Sequence, residues 1–193
     1  GTIKNTLMMI AIFSSMGLGY SATKFIAESR TSNDHKRVFD THKIASILTY
    51  IMSGCIALLV IIGAGQIAIW LEAPHLSSAL RFSAIAIIFN AVNTTQAGEL
   101  AGFGAYKELA RNNTIAGIIT FFTSVLLTYF YNFDGAIIAL IISLFFNAVL
   151  NRITIGKCIA NKDNAGKIDK AYIKEIIKFS IPIALQEGLY SVT

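Results

Sequence analysis

The stretch 44–71 reads IASILTYIMSGCIALLVIIGAGQIAIWL, and it decides the fold class of this chain. It contains no charged side chain along its whole length. A helix needs about 20 apolar residues, at about 1.5 Å of rise each, to cross the roughly 30 Å hydrocarbon core of a bilayer. The stretch exceeds that length, so it predicts a transmembrane helix that tilts or projects beyond the bilayer.

Further apolar stretches lie on both sides of this one. The complete ones are 6–27, 76–104, 113–131 and 135–158, and another begins near Ile173. Each complete stretch is near or above the length that a membrane crossing requires. The pattern therefore predicts an all-α fold, a polytopic integral membrane helical bundle with five spans and the start of a sixth.

The composition excludes a soluble domain. Hydrophobic residues make up 54% of the 193 positions, charged residues only 14%, and the mean hydropathy is +0.62. Soluble domains carry about a quarter charged residues. The net charge of +5 does not indicate a nucleic-acid partner, because the basic residues lie in the gaps between apolar stretches. Cys55 and Cys158 lie inside apolar stretches and indicate neither a disulfide nor a metal site.

The distribution of basic residues predicts the orientation of the spans. All of the 16 Lys and Arg residues except Lys4 and Arg81 fall in or beside the first, third and fifth gaps. Cytoplasmic loops retain Lys and Arg. We therefore expect 28–43 and 160–174 on the cytoplasmic side, and 72–75 and 132–134 on the outside.

The same pattern predicts a fragment of a larger membrane protein. The first span runs inward, so a protein with a cytoplasmic N-terminus needs one more span before it, and the last apolar stretch stops at Thr193. We expect helices two to six in 1–159, a cytoplasmic linker between two lobes in 160–172, and the start of a seventh helix in 173–193.

Three segments carry a resemblance to a known family. They are 15–28, SMGLGYSATKFIAE; 93–107, NTTQAGELAGFGAYK; and 179–185, FSIPIAL. These segments are similar to the second, fourth and seventh helices of the Wzx-type O-antigen and polysaccharide flippases. Their spacing covers essentially the whole chain and agrees with the topology predicted from charge.

The resemblance implies a MATE-like fold with two six-helix lobes around a cavity that opens alternately to each side, this chain being the N-terminal lobe. It implies an undecaprenyl-pyrophosphate-linked oligosaccharide as substrate, moved to the outer leaflet of the bacterial cytoplasmic (inner) membrane for surface polysaccharide biosynthesis. The expected partners are this substrate, membrane lipids and other polysaccharide assembly proteins. Enzymatic activity, a cofactor, a metal and a nucleic-acid partner are not expected.

Two other functions compete with this interpretation. A MATE-type exporter of drugs or cations would need acidic residues at mid-membrane, where this chain carries amides. A membrane enzyme acting on polyprenyl phosphates would need clustered Asp residues to hold Mg²⁺. The Asp residues here are scattered over the polar gaps.

Arg81 and Glu99 are candidate substrate-binding residues. They are separated by about five helical turns, so they lie on one stripe and about 27 Å apart along the helix axis. Charges inside a span usually face a polar interior, which predicts that both line the cavity at its outer and inner mouths. The alternative is that each side chain snorkels to its nearest interface.

Asn90, Asn93, Gln96 and Lys24 are further cavity candidates. Amides at membrane depth must hydrogen-bond to something other than lipid, either sugar hydroxyls or neighbouring helices. Lys24 lies near the inner end of its span, where it either attracts the pyrophosphate of the carrier or anchors the helix at the cytoplasmic side.

Other residues have a structural or a coupling interpretation. Pro182 predicts a kink, and Glu187 follows it closely, which marks either a moving, proton-sensitive helix or a static bend. Gly98 and Gly102 form a GxxxG pair that predicts close helix packing. The histidines and aspartates of the first gap (Asp34, His35, Asp40, His42) fit a solvated cytoplasmic loop rather than a metal site.

Overall fold

The computed structural model describes residues 17–70, 77–159 and 169–190, and over these ranges the chain is helical apart from short connections. The helices there are α1 (Leu18–Thr31), α2 (His35–Trp70), α3 (Ser77–Gly102), α4 (Tyr106–Asn132), α5 (Asp134–Cys158) and α6 (Lys170–Tyr190). The predicted all-α membrane bundle is confirmed. In the described ranges, three segments are long and apolar enough to cross a membrane: His35–Gln66 of α2, α4 and α5.

Helices α4 and α5 form an antiparallel hairpin. The helical path breaks at Asn132, whose φ of 52° and ψ of −129° are not helical. Asn112 bonds to Asn151, and Thr120 to Ser143, so residues pair at nearly equal sequence distances from the break. Asn tolerates positive φ better than most residues, which suits it to this reversal. The reversal lies in the gap 132–134 that the sequence predicts between two spans.

Helix α3 lies at the centre of the bundle, packed against α1, α2 and the α4–α5 hairpin. It ends at a left-handed glycine, Gly104, with φ 68°. The N–H groups of Gly104 and Ala105 donate to the carbonyls of Ala101 and Leu100, both at 2.9 Å. This arrangement is a common glycine stop signal for a helix.

The contact between α1 and α3 depends on glycine. A Cβ atom at Gly98 would overlap the backbone of Gly19, and one at Gly102 would lie 2.9 Å from the carbonyl oxygen of Thr23. The Thr23 hydroxyl donates to the Gly98 carbonyl at 2.8 Å. The close packing predicted from the Gly98–Gly102 spacing is confirmed.

Helix α6 packs on α1 and α2 through an aromatic cluster. The ring of Phe25 lies edge-on to Tyr172 and Phe179, with centroids 5.8 Å and 5.7 Å away. The hydroxyl of Tyr172 is 2.6 Å from that of Thr41 on α2. Aromatic edge contacts and a shared hydroxyl bond fix α6 where it enters the bundle.

Three helices begin earlier than hydrophobicity predicts, and one of them is α4, which starts at Tyr106 instead of near residue 113. Helix α2 starts at His35 instead of near residue 44, so most of the predicted loop 28–43 is helical. At about 1.5 Å per residue its 36 residues extend about 54 Å, well beyond the hydrocarbon core. Its polar first turns contact α1, α3 and α6. The prediction of a solvated loop is therefore wrong for Asp40, which is helical and only 6% exposed, whereas His35 is exposed as predicted.

Helix α6 starts at Lys170, inside the region 160–172 predicted as a linker. The rest of that linker up to residue 168, the first 16 residues of the chain and the gap 72–75 lie outside the described residues. The division of the chain into lobe, linker and seventh helix remains a prediction.

Candidate functional site

A row of polar side chains runs along one face of α3. Asn93, Gln96 and Glu99 follow each other at intervals of three residues, which places them on neighbouring turns of one helix face. All three are buried, at 8%, 7% and 0% exposure. The central position of α3 explains how they avoid lipid, because neighbouring helices cover this face.

Glu99 is paired with His42 of α2. Its Oε2 atom lies 2.9 Å from Nδ1 of His42, and the His42 side chain retains 19% exposure while Glu99 has none. Arg152 of α5 adds a second, more distant positive charge that acts on Glu99. A buried carboxylate requires such compensation, because moving an unpaired charge out of water costs on the order of several kcal/mol.

Several oxygens of this row lack a hydrogen-bond partner among the described residues. They are Oδ1 of Asn93, Oε1 of Gln96 and Oε1 of Glu99. Leaving a buried polar atom unpaired costs about 1–3 kcal/mol. Packing alone does not account for three such atoms on one helix. We therefore take this face of α3 as the candidate functional site. We call its residues Asn93, Gln96 and Glu99 the α3 polar row.

Beside the α3 polar row lies a small pocket between α2, α3 and α5. Most of its lining surface is carbon, although all but one of the residues that form it carry a polar group: Ser46, Thr49, Tyr50, Val92, Thr95, Gln96 and Arg152. The hydroxyls of Thr49 and Thr95 are 2.8 Å apart and connect α2 to α3. Polar groups from three helices therefore meet at the C-terminal half of α3.

Not every amide of the row is available to a ligand. The Nδ2 atom of Asn93 donates to the Leu144 carbonyl of α5 at 2.9 Å, a contact between helices of the kind expected for membrane amides. Asn90 is only partly buried, and its carbonyl accepts the Thr94 hydroxyl at 2.9 Å. Whether Asn90, Asn93 and Gln96 contact a sugar stays a prediction.

Lys24 is exposed on α1 and lies against aromatic rings. Its Nζ atom is 4.1 Å from the ring centroid of Phe179 and 5.1 Å from that of Phe25. Cation–π contact of this kind contributes about 0.5–1 kcal/mol at exposed sites and leaves the ammonium free to bind an anion as well.

The structure does not bring the other candidates to the α3 polar row. Arg81 is exposed and lies about five turns from Glu99 on the same helix. Pro182 lies inside α6, and it too is exposed. The side chain of Glu187 lies outside the described residues, so its predicted role with Pro182 stays a prediction.

Three residues of this region were not among the sequence candidates. His42 contacts Glu99, and Arg152 acts on it through its charge. Arg30 of α1 donates to the carbonyls of Gly102 and Phe103 at the end of α3. An Arg at a helix C-terminus is favoured by the helix dipole. Nothing in the sequence points to His42, which precedes the apolar stretch 44–71 by two residues and meets Glu99 only in the folded bundle.

No group of three or more His, Cys, Asp or Glu side chains that would suit a metal ion occurs in the ranges 17–70, 77–159 and 169–190. Both cysteines are free and exposed.

Comparison with known proteins gives one match. A family described as polysaccharide biosynthesis protein matches residues 3–192, which is nearly the whole chain. No curated protein and no solved structure matches the chain.

Proposed function

The chain belongs to the polysaccharide biosynthesis protein family, and we propose that it acts in a membrane transporter that flips a lipid-linked oligosaccharide, carried on undecaprenyl pyrophosphate, to the outer leaflet of the bacterial cytoplasmic membrane. The observation that carries this proposal is the family match over residues 3–192 in a chain with three segments able to cross a membrane. Polysaccharide precursors that are assembled inside a cell must cross the bilayer, and an apolar helical bundle is suited to that step.

The charge distribution supports a substrate with an anionic head group. In the topology that we propose, Lys24, Arg30 and Arg152 all lie toward the cytoplasmic side, where the pyrophosphate would enter. Lys24 is the best placed of the three to bind it, because its ammonium group is exposed whereas Arg30 is bonded to the end of α3. A charge-assisted bond to phosphate is about twice as strong as a neutral hydrogen bond.

The experiment is complementation of a flippase-deficient bacterial strain by the full-length protein. We expect surface polysaccharide to be restored, and to be lost again in Lys24→Gln. Lys157→Gln, which neutralises an exposed lysine at the end of α5, is the matched control and should retain export. Full restoration by Lys24→Gln would remove Lys24 from the proposed site, and failure of the unmutated protein in strains with several different polysaccharides would contradict the proposal.

Arg81 gives a second test at the opposite end of α3. Orientation signalling does not explain a basic residue on the outer side, and its planar guanidinium suits a pyrophosphate or an acidic sugar. We expect Arg81→Ala to abolish export without changing the protein level, and Arg81→Lys to recover part of it, since Lys keeps the charge but not the bidentate geometry. Normal export by Arg81→Ala would favour snorkelling to the interface instead.

One observation favours a second candidate, the export of small organic cations. Glu99 is a fully buried carboxylate inside the bundle, which is the kind of group that a cation pocket would use. Expression in a drug-sensitive strain decides between the two: resistance to cationic dyes that is lost in Glu99→Gln, with no effect on surface polysaccharide, would replace the flippase proposal.

A further inference from the structure

The inner part of the α3 polar row contains two acceptor atoms and no donor for them. The carboxylate Oε1 of Glu99 and the carbonyl Oε1 of Gln96 are both without a hydrogen-bond partner in the described part of the chain. The two residues are three positions apart on α3, so their side chains are neighbours. A proton on one of these two oxygens would provide the missing donor.

The proton belongs on Glu99, because an amide carbonyl is far less basic than a carboxylate. A protonated Glu99 presents an O–H group that donates to Gln96, while its other oxygen still accepts from His42 at 2.9 Å. His42 keeps 19% of its side chain exposed, whereas Glu99 has none.

The surroundings of Glu99 contain charges of both signs. The titratable and charged groups at the corresponding ends of the neighbouring helices are Asp40, His42 and Lys43 of α2, Arg152 of α5, Glu28 and Arg30 of α1, and Lys107 and Glu108 of α4, and of these His42 and Arg152 act on Glu99. Among the described residues, only His42 forms an ion pair with Glu99. Arg30 is bonded to the carbonyls at the end of α3, and Arg152 acts from a greater distance.

We propose that Glu99 is a reversible proton-binding site, in which the proton taken up on Oε1 is donated in a hydrogen bond to Oε1 of Gln96. Uptake of the proton neutralises the carboxylate, which weakens its hydrogen bond with His42 and removes its charge attraction to Arg152, two residues on different helices. The state of Glu99 therefore sets how strongly α2 and α5 are held against the inner half of α3. This goes beyond the proposed function, because it holds for any solute that the protein moves.

Infrared difference spectroscopy of the intact protein in lipid, titrated with pH, measures this directly. We expect the C=O stretching band of a carboxylic acid to appear on acidification and to be absent in Glu99→Gln. Glu28→Gln, the same change at an exposed glutamate of α1, is the matched control and should keep the band. Gln96→Leu should move the band to higher frequency, because the acid then loses the acceptor of its hydrogen bond.

The proposal would be overturned by a folded protein in which no carboxylic acid band depends on Glu99. That result would mean that Glu99 stays ionised and that a rotated Gln96 amide supplies the donor. An unchanged band frequency in Gln96→Leu would exclude Gln96 as the acceptor. If Glu99→Gln does not fold, as judged by circular dichroism, Glu99→Asp retains an acid at the site and should shift the band. The spectra need no transport, so their outcome is independent of complementation.

Discussion

Helices α3 and α4 belong to the same bundle and differ in what covers them. In the most apolar stretch of α4 only 6% of the residues are buried, and its outer surface consists of large apolar and aromatic side chains such as Phe121, Leu126 and Tyr129. Helix α3 is as long as a membrane span, yet it carries Asn93, Gln96 and Glu99 inside. Lipid contact requires an apolar surface, whereas a helix covered by its neighbours can carry polar groups that hydrogen-bond within the protein.

This difference accounts for the lower hydropathy of α3: its described residues are not among the segments apolar enough to cross a membrane, although the sequence predicts a span over 76–104, whereas α2, α4 and α5 each contain such a segment. The average hydropathy of a helix reports contact with lipid rather than depth in the membrane. The most polar helix of a membrane bundle is therefore a place to look for function, because its polar groups are retained at a cost that an apolar replacement would avoid.

The largest effect is expected from a charge on the lipid-facing side of α4. Ile118 lies near the middle of that helix and is 55% exposed. Ile118→Arg should disfavour membrane insertion by about 2.5–3.5 kcal/mol, because the charge falls near the bilayer centre. The measurement is the fraction of protein inserted in the membrane. Tyr131→Arg, near the end of the helix where an Arg can snorkel, is the control. Equal insertion of the two variants would mean that this face of α4 does not contact lipid.

The next effect concerns the contact of α3 with α1. Gly98→Ala places a Cβ atom on the backbone of Gly19, which no side-chain rotation can relieve. We expect the free energy of unfolding to fall by about 1–3 kcal/mol, the usual cost of an overpacked site. Gly117→Ala on α4 is the matched control, because nothing lies within 4 Å of its Cβ position. The measurement for both variants is the yield of monodisperse protein in size-exclusion chromatography. Similar yields of the two variants would show that α1 and α3 do not pack as described.

The smallest effect is expected within the α4–α5 hairpin. Asn112 donates to Asn151 and Thr154, both at 3.0 Å, and all three side chains are buried. Hydrogen bonds between membrane helices contribute about 0.6 kcal/mol each on average. Asn112→Ala should therefore lower the thermal stability of the purified protein only slightly.

Thr114→Ala is the control for that change, since its hydroxyl bonds only to a carbonyl of its own helix, Ala110. A large loss of stability in Asn112→Ala would indicate that polar bonds, rather than apolar packing, hold α4 against α5.

Much of the fold can be predicted from the sequence, because its signals are local. Long apolar stretches predict the helices, the gap 132–134 predicts the reversal between α4 and α5, and Gly98–Gly102 predicts a close contact. The start of α2 at His35 could not be predicted in this way, since its polar first turns are stabilised by contacts with other helices.

The candidate site was predictable only in part. Glu99 and the amides stand out because polar groups are costly in a span, but their partners are set by tertiary structure. His42 and Glu99 are 57 positions apart, and Arg152 comes from yet another helix. No periodicity within one helix contains that information, so His42 is indistinguishable in sequence from a loop histidine.

The most direct test is whether α3 crosses the membrane. The starting protein is the full-length chain with Cys55 and Cys158 replaced by Ala. Single cysteines are then introduced at His35, Tyr106 and Asn132, one per variant. Each is labelled with a membrane-impermeant reagent in intact and in opened cells. If α2, α3 and α4 each cross, His35 and Tyr106 label from the cytoplasmic side and Asn132 from the outside. Labelling of Tyr106 from the side opposite to His35 would show that α3 does not cross, and would contradict the account of a polar span buried among apolar ones.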